Sequence, residues 1–416
     1  MTVTEKLYDR DAYLTEFTAQ ILSCRQEGDR FHVILDRTAF FPEAGGQTPD
    51  RGVLIFSGDP AGVREASVSD VQIDDAGVIT HVTDRELPAS GTVNGRIDWE
   101  HRFDNMQQHT GEHIFSGLVC GRFGCDNVGF HLSDQTVTMD YNKVLSPEMI
   151  RETERLANEA VWRDLPVEIS FPSEEELSEI PYRSKKELSG QIRIVTIPGV
   201  DICACCAPHV RHTGEIGLLK VIAVQNYKGG VRVTIRCGSR AFSWLSAQSE
   251  ILGDLARELS TAPEGVPGHL KKLKEELSET RRQAAEHAEK AMAERLEKIT
   301  NDIITNDTKH VLLFDPLTDG NAARRVLNRW TQEHAGVCCV FLGSDETGYQ
   351  YLIAASSDGA DARETAGILA ERFGAKGGGS REMTQGRVRA PEAEIRRILG
   401  TGGISENTEQ PVGVTA

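Results

Sequence analysis

The sequence lacks any long hydrophobic run and any leader of the secretory type. It begins MTVTEKLYDRDAYL, with no basic flank ahead of an apolar stretch, so no signal peptide is indicated. No window approaches the roughly 20 consecutive apolar residues that a membrane helix needs. Disulfides are disfavoured as well, because nine cysteines are an odd number for a disulfide framework. We therefore expect a cytoplasmic protein with reduced thiols that does not enter a membrane.

Two familiar cysteine and histidine motifs are also missing. The stretch DICACCAPHVRH, residues 201–212, holds three cysteines and two histidines. The gaps between its cysteines are too short for the C-x-x-C spacing of a thioredoxin-like redox pair. The H-E-x-x-H signature of metalloproteases is absent, because Glu112 directly precedes His113 instead of following His109. Metal binding of another kind is the functional interpretation that remains.

A pair of histidines upstream supplies half of such a site. His109 and His113 lie in DNMQQHTGEHIFSGLV, residues 104–119, whose apolar positions favour a helix over a strand. On a helix, residues four positions apart lie on the same face, one turn from each other. Two imidazoles in this arrangement can hold one ion.

The cysteine cluster repeats the same spacing. Cys205 and His209 are again four residues apart, and Pro208 indicates a turn or a helix start. Zinc in proteins usually takes four nitrogen and sulfur ligands. The two pairs therefore predict one zinc site, with His109, His113, Cys205 and His209 as ligands.

Spacing alone leaves the ligand set open. His212 could replace His209, and Cys203 or Cys206 could replace Cys205. Four protein ligands would also close the site, whereas catalytic zinc usually keeps one open position. Either one ligand is loosely bound, or the ion mainly positions a substrate.

A glycine pair follows a predicted strand near the start of the chain. The segment VILDRTAFFPEAGGQTPDRG, residues 33–52, alternates from Val33 to Phe41 and then reaches Gly45 and Gly46. Paired glycines of this kind are typical of a loop where another backbone or a ligand comes close.

These motifs carry a family resemblance. In order, FFPEAGGQTPDRG, RFDNMQQHTGEH and CACCAPHVRHTGEIG resemble the glycine-rich, H-x-x-x-H and C-x-x-x-H motifs of the editing domain of alanyl-tRNA synthetase and its free-standing relatives. The later stretch ERFGAKGGGSREMTQG, residues 371–386, resembles the glycine-rich C-terminal domain that follows that editing domain. The first motif leaves no room before it for an aminoacylation domain. The chain thus resembles the long form of the stand-alone alanyl-tRNA editing proteins.

The resemblance implies an activity and two further site residues. It implies a zinc-assisted trans-editing hydrolase that deacylates tRNA(Ala) mischarged with serine or glycine, and it leaves the preference between these two amino acids open. It places the hydroxyl of Thr38 against the side-chain hydroxyl of the misattached serine, which alanine lacks. It places Gln47 near the reacting ester.

The patterns along the chain predict an α+β protein with several domains. Short alternating runs at the start indicate strands, and a Pro/Gly break at 260–268 precedes a long helical pattern with heptad-like leucines. The predicted regions are an N-terminal small β-barrel at 1–90, an α+β zinc-binding editing domain at 91–245, a linker with a long helix at 246–304, a small α/β domain for tRNA binding and dimerisation at 305–402, and a flexible tail at 403–416.

Net charge is the main objection to a tRNA partner. The formal charge is −17 and the isoelectric point is near 5.2, whereas phosphate binding calls for lysine and arginine. Basic residues do gather at 182–193, 321–329 and 374–389. In the last stretch Lys376 stands beside three glycines, which offer charge together with exposed backbone N–H groups and so suit a phosphate backbone. The predicted tRNA contacts are Lys376, Gly377, Gly378 and Gly379.

Two functions of other classes remain as alternatives. A zinc-containing module that binds structured RNA without catalysis would use the metal only for its fold. A metal-dependent hydrolase of another small ester would use the C-terminal domain to form a homodimer. Deacylation of Ser-tRNA(Ala) distinguishes editing from the RNA-binding module, which would not catalyse it. A requirement for tRNA in substrate binding distinguishes editing from the hydrolase of another ester.

Overall fold

The structure is a computed structural model and describes residues 3–59, 62–184, 191–304, 310–357 and 359–400. The chain divides into two compact units, Met1–Asp254 and Leu255–Ala416. The predicted tail at 403–416 lies outside the described residues, as do residues 185–190 of the first basic stretch.

A closed barrel of six antiparallel strands opens the first unit, and the predicted barrel is thereby confirmed. Around the barrel the order is β2-β3-β7-β6-β5-β8. Alternate residues face its interior, as Val93 and Ile97 do in the last strand. The strands of this region are β1 (Glu5–Lys6), β2 (Glu16–Glu27), β3 (Arg30–Leu35), β4 (Arg37–Thr38), β5 (Gly52–Asp59), β6 (Gly62–Ile73), β7 (Ile79–Thr83) and β8 (Gly91–Ile97).

Two details of the barrel differ in extent from the sequence patterns. Strand β8 pairs with both β2 and β5, so the closing strand lies beyond the predicted boundary at residue 90. The predicted strand Val33–Phe41 is interrupted at Asp36, whose carboxylate accepts a hydrogen bond from Gln20 N at 2.7 Å. After this break the chain leaves the barrel and pairs β4 with β1 in parallel.

The rest of the first unit surrounds helix α1. Asp98 caps its N-terminus by accepting from His101 N at 3.2 Å, and Gly124 ends it in the left-handed conformation. An antiparallel sheet, β14-β15-β10-β9, and a smaller one, β11-β12-β13, complete the α+β arrangement. These elements are α1 (Trp99–Phe123), β9 (Asn127–Leu132), β10 (Val137–Tyr141), α2 (Pro147–Trp162), β11 (Glu168–Ser170), α3 (Glu174–Glu179), β12 (Ile194–Ile197), β13 (Asp201–Ala204), β14 (Leu219–Tyr227), β15 (Gly230–Cys237) and α4 (Gly238–Glu258).

The second unit contains a mixed five-stranded sheet in the order β16-β17-β18-β20-β19. Only its β16–β17 ladder is parallel. Separate apolar clusters cover its two faces, and the neighbours Cys338 and Cys339 point into different ones. Its elements are α5 (Val266–Ile304), β16 (His310–Asp315), α6 (Gly320–Glu333), β17 (Val337–Ser344), β18 (Gly348–Ala355), α7 (Ala362–Phe373), β19 (Lys376–Gly379), β20 (Met383–Val388) and α8 (Glu392–Leu399). Across the described ranges no helix is long and apolar enough to cross a membrane.

A buried histidine sits inside the barrel. Its Nδ1 lies 3.1 Å from Val33 O, and its Nε2 lies 2.8 Å from Thr38 Oγ1. A carbonyl oxygen only accepts, so Nδ1 of His81 carries the proton, and Nε2 accepts from the threonine hydroxyl. Burial lowers the pKa of His81 from 6.5 to about 4, against a small opposing effect of the Val33 hydrogen bond.

The lowered pKa of His81 predicts acid sensitivity. Below pH 6.5 the unfolded chain binds a proton that the folded barrel excludes, so stability present above pH 6.5 is lost as the pH falls toward about 4. We expect the free energy of unfolding to fall by up to about 3 kcal/mol over that interval. Urea unfolding at several pH values measures the loss. His81→Gln, which cannot titrate, should show a shallower pH dependence, and an equal slope in both proteins would contradict the assignment.

Candidate metal centre

Helix α1 presents two histidines to the interior of the first unit. His109 and His113 are both buried, and their ring centroids are 5.4 Å apart, as expected one helical turn apart. The helix buries an unusual number of polar side chains for its length. Those of its buried residues that are polar or charged are Arg102, Asn105, Gln108, His109, Thr110, Glu112, His113 and Ser116.

The loop after β13 supplies a cysteine and a third histidine. Its backbone is tied to the residue before β12, because Cys205 N donates to Arg193 O at 3.1 Å. Nη1 of Arg193 donates to Cys205 O at 2.8 Å and to Ala207 O at 2.9 Å. These bonds hold Cys205 and His209 against helix α1, and we call residues 203–209 the metal loop.

Four ligand atoms converge at this point. One atom each from His109, His113, Cys205 and His209 lies within 4.8 Å of all the others. Cys205 Sγ is 3.5 Å from His109 Nε2 and 3.4 Å from His209 Nε2. In a tetrahedral zinc site with ordinary bond lengths, sulfur and nitrogen ligands are about 3.6 Å apart. Three imidazoles and one thiol at these distances fit a zinc-like metal ion.

Each histidine is oriented by a second partner on its Nδ1. The partner is Gln47 Oε1 for His109 at 2.7 Å, Asp201 Oδ2 for His113 at 2.9 Å and Thr110 Oγ1 for His209 at 3.0 Å. Such partners fix the tautomer and leave Nε2 free for a metal. The arrangement is that of metal-ligating histidines.

Asp201 is itself held by a buried ion pair. Nε and Nη2 of Arg183 donate to its two carboxylate oxygens at 2.7 and 2.8 Å. Although burial alone would raise the pKa of Asp201, its hydrogen bonds with His113 and Arg183 lower it. The carboxylate therefore stays ionised and orients His113.

Electrostatics in the cluster favour a thiolate beside imidazole. Burial raises the pKa of the Cys205 thiol, but the charge of His109 and hydrogen bonds from His109 and His113 outweigh it and lower the pKa well below the usual value. Burial lowers the pKa of His209 to about 3. A deprotonated thiol and a neutral imidazole are the forms that bind a metal ion.

The three alternative ligands lie elsewhere. Cys203 is buried and forms a separate group with His113 and Asp201. Cys206 is exposed, and its Sγ would lie 3.8 Å from a Cβ at Gly45. His212 is exposed at the start of a short turn of helix. Among the described residues, the geometry brings together Cys205 and His209.

A cavity of about 1270 Å³ lies beside the cluster. Its wall includes His109, His113 and Cys205, together with the glycine pair Gly45 and Gly46. Gly46 has a φ of +84°, and a Cβ there would come within 2.5 Å of Phe130 O. Only glycine fits this position, so the paired glycines bring the loop close to the cluster.

Gln47 is hydrogen-bonded to His109 of the cluster, whereas Thr38 is hydrogen-bonded to His81 of the barrel. Gln47 is buried, and its Oε1 is engaged by His109, while Nε2 has no acceptor among the described residues. The buried Thr38 hydroxyl donates to His81 and accepts from Phe40 N at 3.1 Å. Neither Gln47 nor Thr38 is part of the cavity wall, although Lys6, which pairs with Thr38, is present there. Its predicted role stays a prediction.

The predicted tRNA contacts belong to the second unit, on an edge strand. All four residues of β19 are exposed. A Cβ at Gly377 or Gly379 would lie 2.3 or 2.2 Å from a carbonyl oxygen of β20, so packing requires glycine at both positions. At Gly378 no described atom lies within 4 Å of a Cβ. Sheet packing leaves this glycine unexplained.

Sequence reasoning missed the residues that orient the ligands. Asp201, Arg183, Thr110 and Arg193 act through contacts between segments far apart in the chain. Asp201 carries a weak local signal, because it stands four residues before Cys205. The others give no spacing signal.

Two families of tRNA synthetase domains match parts of this chain. Residues 192–234, which contain Cys205 and His209, match the family described as the threonyl and alanyl tRNA synthetase second additional domain. Residues 11–101 match class II (A) tRNA synthetases. Among solved structures, a RecJ from Thermus thermophilus in complex with Mg²⁺ overlaps 33% of this chain and 19% of that one, at 17% identity and a TM-score of 0.22, too low to bear on the fold.

The chain resembles curated proteins over most of its length. Two alanine–tRNA ligases match, at 34% identity in Ignicoccus hospitalis, covering 70% of this chain and 32% of the ligase, and at 29% identity in Thermococcus kodakarensis, covering 95% and 44%. The chain thus spans less than half of these ligases. Alanyl-tRNA editing protein AlaX-L of Pyrococcus horikoshii is 31% identical over 411 residues, covering 94% of this chain and 96% of that protein. This chain therefore belongs to the family of alanyl-tRNA editing proteins.

Proposed function

We propose that the protein is a trans-editing deacylase that hydrolyses the aminoacyl ester of tRNA(Ala) mischarged with serine, and with glycine as a second substrate. The observation that carries this proposal is the cluster of three imidazoles and one thiol, to which the amide of Gln47 is bonded. Three of its members, His109, His113 and Cys205, line the cavity. The cavity volume of about 1270 Å³ is large for a small-molecule site. It accommodates an aminoacylated nucleoside.

Zinc is the ion that the donor set favours. His109, His113, Cys205 and His209 would hold it, and their histidines are already oriented through Nδ1. When bound, zinc supplies a positive charge that orients the amino acid or polarises its ester carbonyl.

Gln47 is suited to stabilise the reacting ester. Its Oε1 accepts from His109, which fixes the plane of the amide. Nε2 is buried and has no acceptor in the described part of the chain. Hydrolysis of an activated ester depends on donors placed where negative charge develops on the carbonyl oxygen. The Nε2–H groups of Gln47 supply such donors without a nucleophilic side chain.

Thr38 remains the proposed determinant for serine. Its hydroxyl is bonded to His81 and Phe40 N, so contact with serine requires an exchange of hydrogen bonds. An exchange of this kind favours a substrate that carries a hydroxyl. Alanine offers no such partner, so the Thr38 hydroxyl keeps its bond to His81 and gains no contact with alanine.

The glycine-rich strand is proposed as a tRNA contact. Lys376 on β19 lies directly opposite Arg387 on β20, and both are exposed. Like charges at directly opposed positions destabilise a sheet, whereas a phosphate between them would relieve the repulsion.

A homodimer through this unit is also proposed, since Leu270, Leu273 and Leu277 of α5 are between 43% and 51% exposed.

Removing one metal ligand should abolish both metal binding and hydrolysis. We expect about one zinc per chain, and Cys205→Ala should lose the zinc and the release of serine from Ser-tRNA(Ala). Metal analysis and loss of radiolabelled serine from the tRNA measure the two effects.

The neighbouring thiol provides the control. Cys206→Ala should keep its zinc, because Cys206 is exposed and outside the cluster. Full zinc in Cys205→Ala would refute the ligand set. A wild-type protein that binds zinc and tRNA without releasing serine would instead support the RNA-binding alternative.

A substitution at Thr38 should separate serine from glycine. Thr38→Val keeps the shape and removes the hydroxyl, so hydrolysis of Ser-tRNA(Ala) should slow by up to about tenfold, equivalent to roughly 0.5–1.5 kcal/mol. Gly-tRNA(Ala), whose amino acid has no hydroxyl, should be hydrolysed at the wild-type rate. Thr38→Ser should retain activity toward both. Equal slowing on both substrates would assign Thr38 only to the barrel interior.

Charge reversal on the edge strand should weaken tRNA binding. Lys376→Glu should raise the KM for Ser-tRNA(Ala), leave kcat nearly unchanged and reduce the slope of log affinity against log salt by roughly one. Lys274→Glu, an exposed lysine of α5, controls for net charge. Equal effects of the two variants would reject a local contact at β19.

A further inference from the structure

A buried guanidinium in the wall of the cavity has donors that the metal cluster does not use. Arg193 is only 6% exposed, and it lines the cavity near Cys205. Among the residues that the structure describes, its Nε and Nη2 have no hydrogen-bond acceptor. Unpaired donors on a buried charge cost free energy, so their presence in a folded protein calls for a physical explanation.

The other side of the guanidinium, at Nη1, is held by hydrogen bonds to the metal loop. Nη1 donates to the carbonyl oxygens of Cys205 and Ala207, and the carbonyl of Arg193 accepts from Cys205 N. The next residue, Ile194, pairs with Ala204 across the β12–β13 ladder. Because these contacts fix the guanidinium beside the metal loop, its Nε–Nη2 edge keeps a fixed direction.

That edge has the geometry of an oxyanion site. Nε–H and one Nη2–H of arginine are parallel and match two oxygens of a carboxylate or a phosphate. Elsewhere in this chain the same edge does so, since Arg183 grips Asp201 through Nε and Nη2 at 2.7 and 2.8 Å. Arg193 presents this edge with no anion from the described residues upon it.

The surrounding charge favours an anion from outside. Asp9 shares the cavity wall but forms no hydrogen bond with Arg193 Nε or Nη2. Burial raises the pKa of Asp9, and the charges of Arg193 and Lys6 only partly offset this effect. Lys6, Arg10 and Arg193 outnumber the carboxylates of Glu5 and Asp9 on the same wall. An incoming anion therefore meets a local positive field in a chain whose net charge is −17.

We propose that the Nε–Nη2 edge of Arg193 binds the phosphate on the 5′ side of the terminal nucleotide of the substrate. The inference rests on the proposed deacylase function, which brings that nucleotide into the cavity. In an aminoacyl ester the carboxyl group is masked and the amino group is cationic, so phosphodiester oxygens are the anionic groups at this end of tRNA. One ribose separates the ester from this phosphate. On the protein, Cys205 supplies both a metal ligand and a carbonyl bonded to Arg193.

Binding of two small probes to the zinc-loaded full chain tests the assignment. Adenosine 5′-monophosphate and adenosine differ only in the phosphate, and neither carries an aminoacyl ester. We expect the wild type to bind the monophosphate at least about tenfold more tightly, the effect of a charge-assisted bidentate contact. Arg193→Gln should bind both probes alike. Arg193→Lys, which keeps the charge without the two-donor edge, should retain only part of the preference. Calorimetric titration measures all three.

Two controls separate a local contact from other effects. Zinc content is measured in each Arg193 variant, because Nη1 also holds the metal loop, and the wild-type preference stands as a test even where a variant loses zinc. Arg10→Gln removes a cation that is 77% exposed and paired with Glu5, and it should keep the preference for the monophosphate.

Three results would overturn the phosphate assignment. The first is equal binding of the two probes by the wild type. The second is a preference for the monophosphate that is lost in Arg10→Gln but kept in Arg193→Gln. The third is a loss of free serine binding in Arg193→Gln with the phosphate preference intact, which would assign the edge to a carboxylate. Hydrolysis of Ser-tRNA(Ala) is scored separately. Activity without a phosphate preference refutes only this inference, whereas a phosphate preference without activity refutes only the proposed function.

Discussion

A buried ion pair between Arg102 and Asp50 determines how the barrel meets helix α1. The guanidinium is fully buried and donates to the Asp50 carboxylate, to Ala12 O at 2.8 Å and to Ala39 O at 2.6 Å. Removing either partner would leave an uncompensated buried charge, which costs several kcal/mol. The pair holds both ends of the glycine-rich loop against the helix that carries His109. Between these ends the loop is tied to β9, because Leu132 N donates to Gly46 O at 2.7 Å, and Gln47 thereby meets His109.

The need to pair buried polar groups also explains the unusual composition of α1. A helix that packs on all sides normally buries apolar residues, whereas this one buries Glu112, His113 and Ser116. Polar contacts within the first unit compensate for this burial, as where Glu112 Oε1 accepts from Ser116 and from Asn127, both at 2.7 Å. Such a network favours one arrangement of the interior over others. Here that arrangement directs two imidazoles toward the metal loop.

The sequence predicted those parts of the site that depend on local spacing. His109 with His113, and Cys205 with His209, each stand four residues apart, and the helix and the loop bring all four together. The partners on Nδ1 could not be predicted, because Asp201 meets His113 only through the tertiary fold. Thr38 shows the limit most clearly. The alternation from Val33 to Phe41 predicted one continuous strand, but the strand is interrupted at Asp36, and the buried Thr38 hydroxyl is bonded to His81.

The glycine-rich strand shows how one motif can serve two physical demands. Gly377 and Gly379 are glycine because β20 approaches too closely for a Cβ, which is a demand of packing alone. Gly378 meets no such obstacle, and Lys376 beside it faces Arg387 across the ladder at a cost in repulsion. In a chain with a net charge of −17, locally uncompensated cations of this kind matter more than the total. Arg193 in the first unit is a similar case, because its charge is buried and no described residue accepts a hydrogen bond from its Nε or Nη2. The cations that suit a polyanionic partner are therefore few and local, which reconciles an acidic protein with a nucleic-acid substrate.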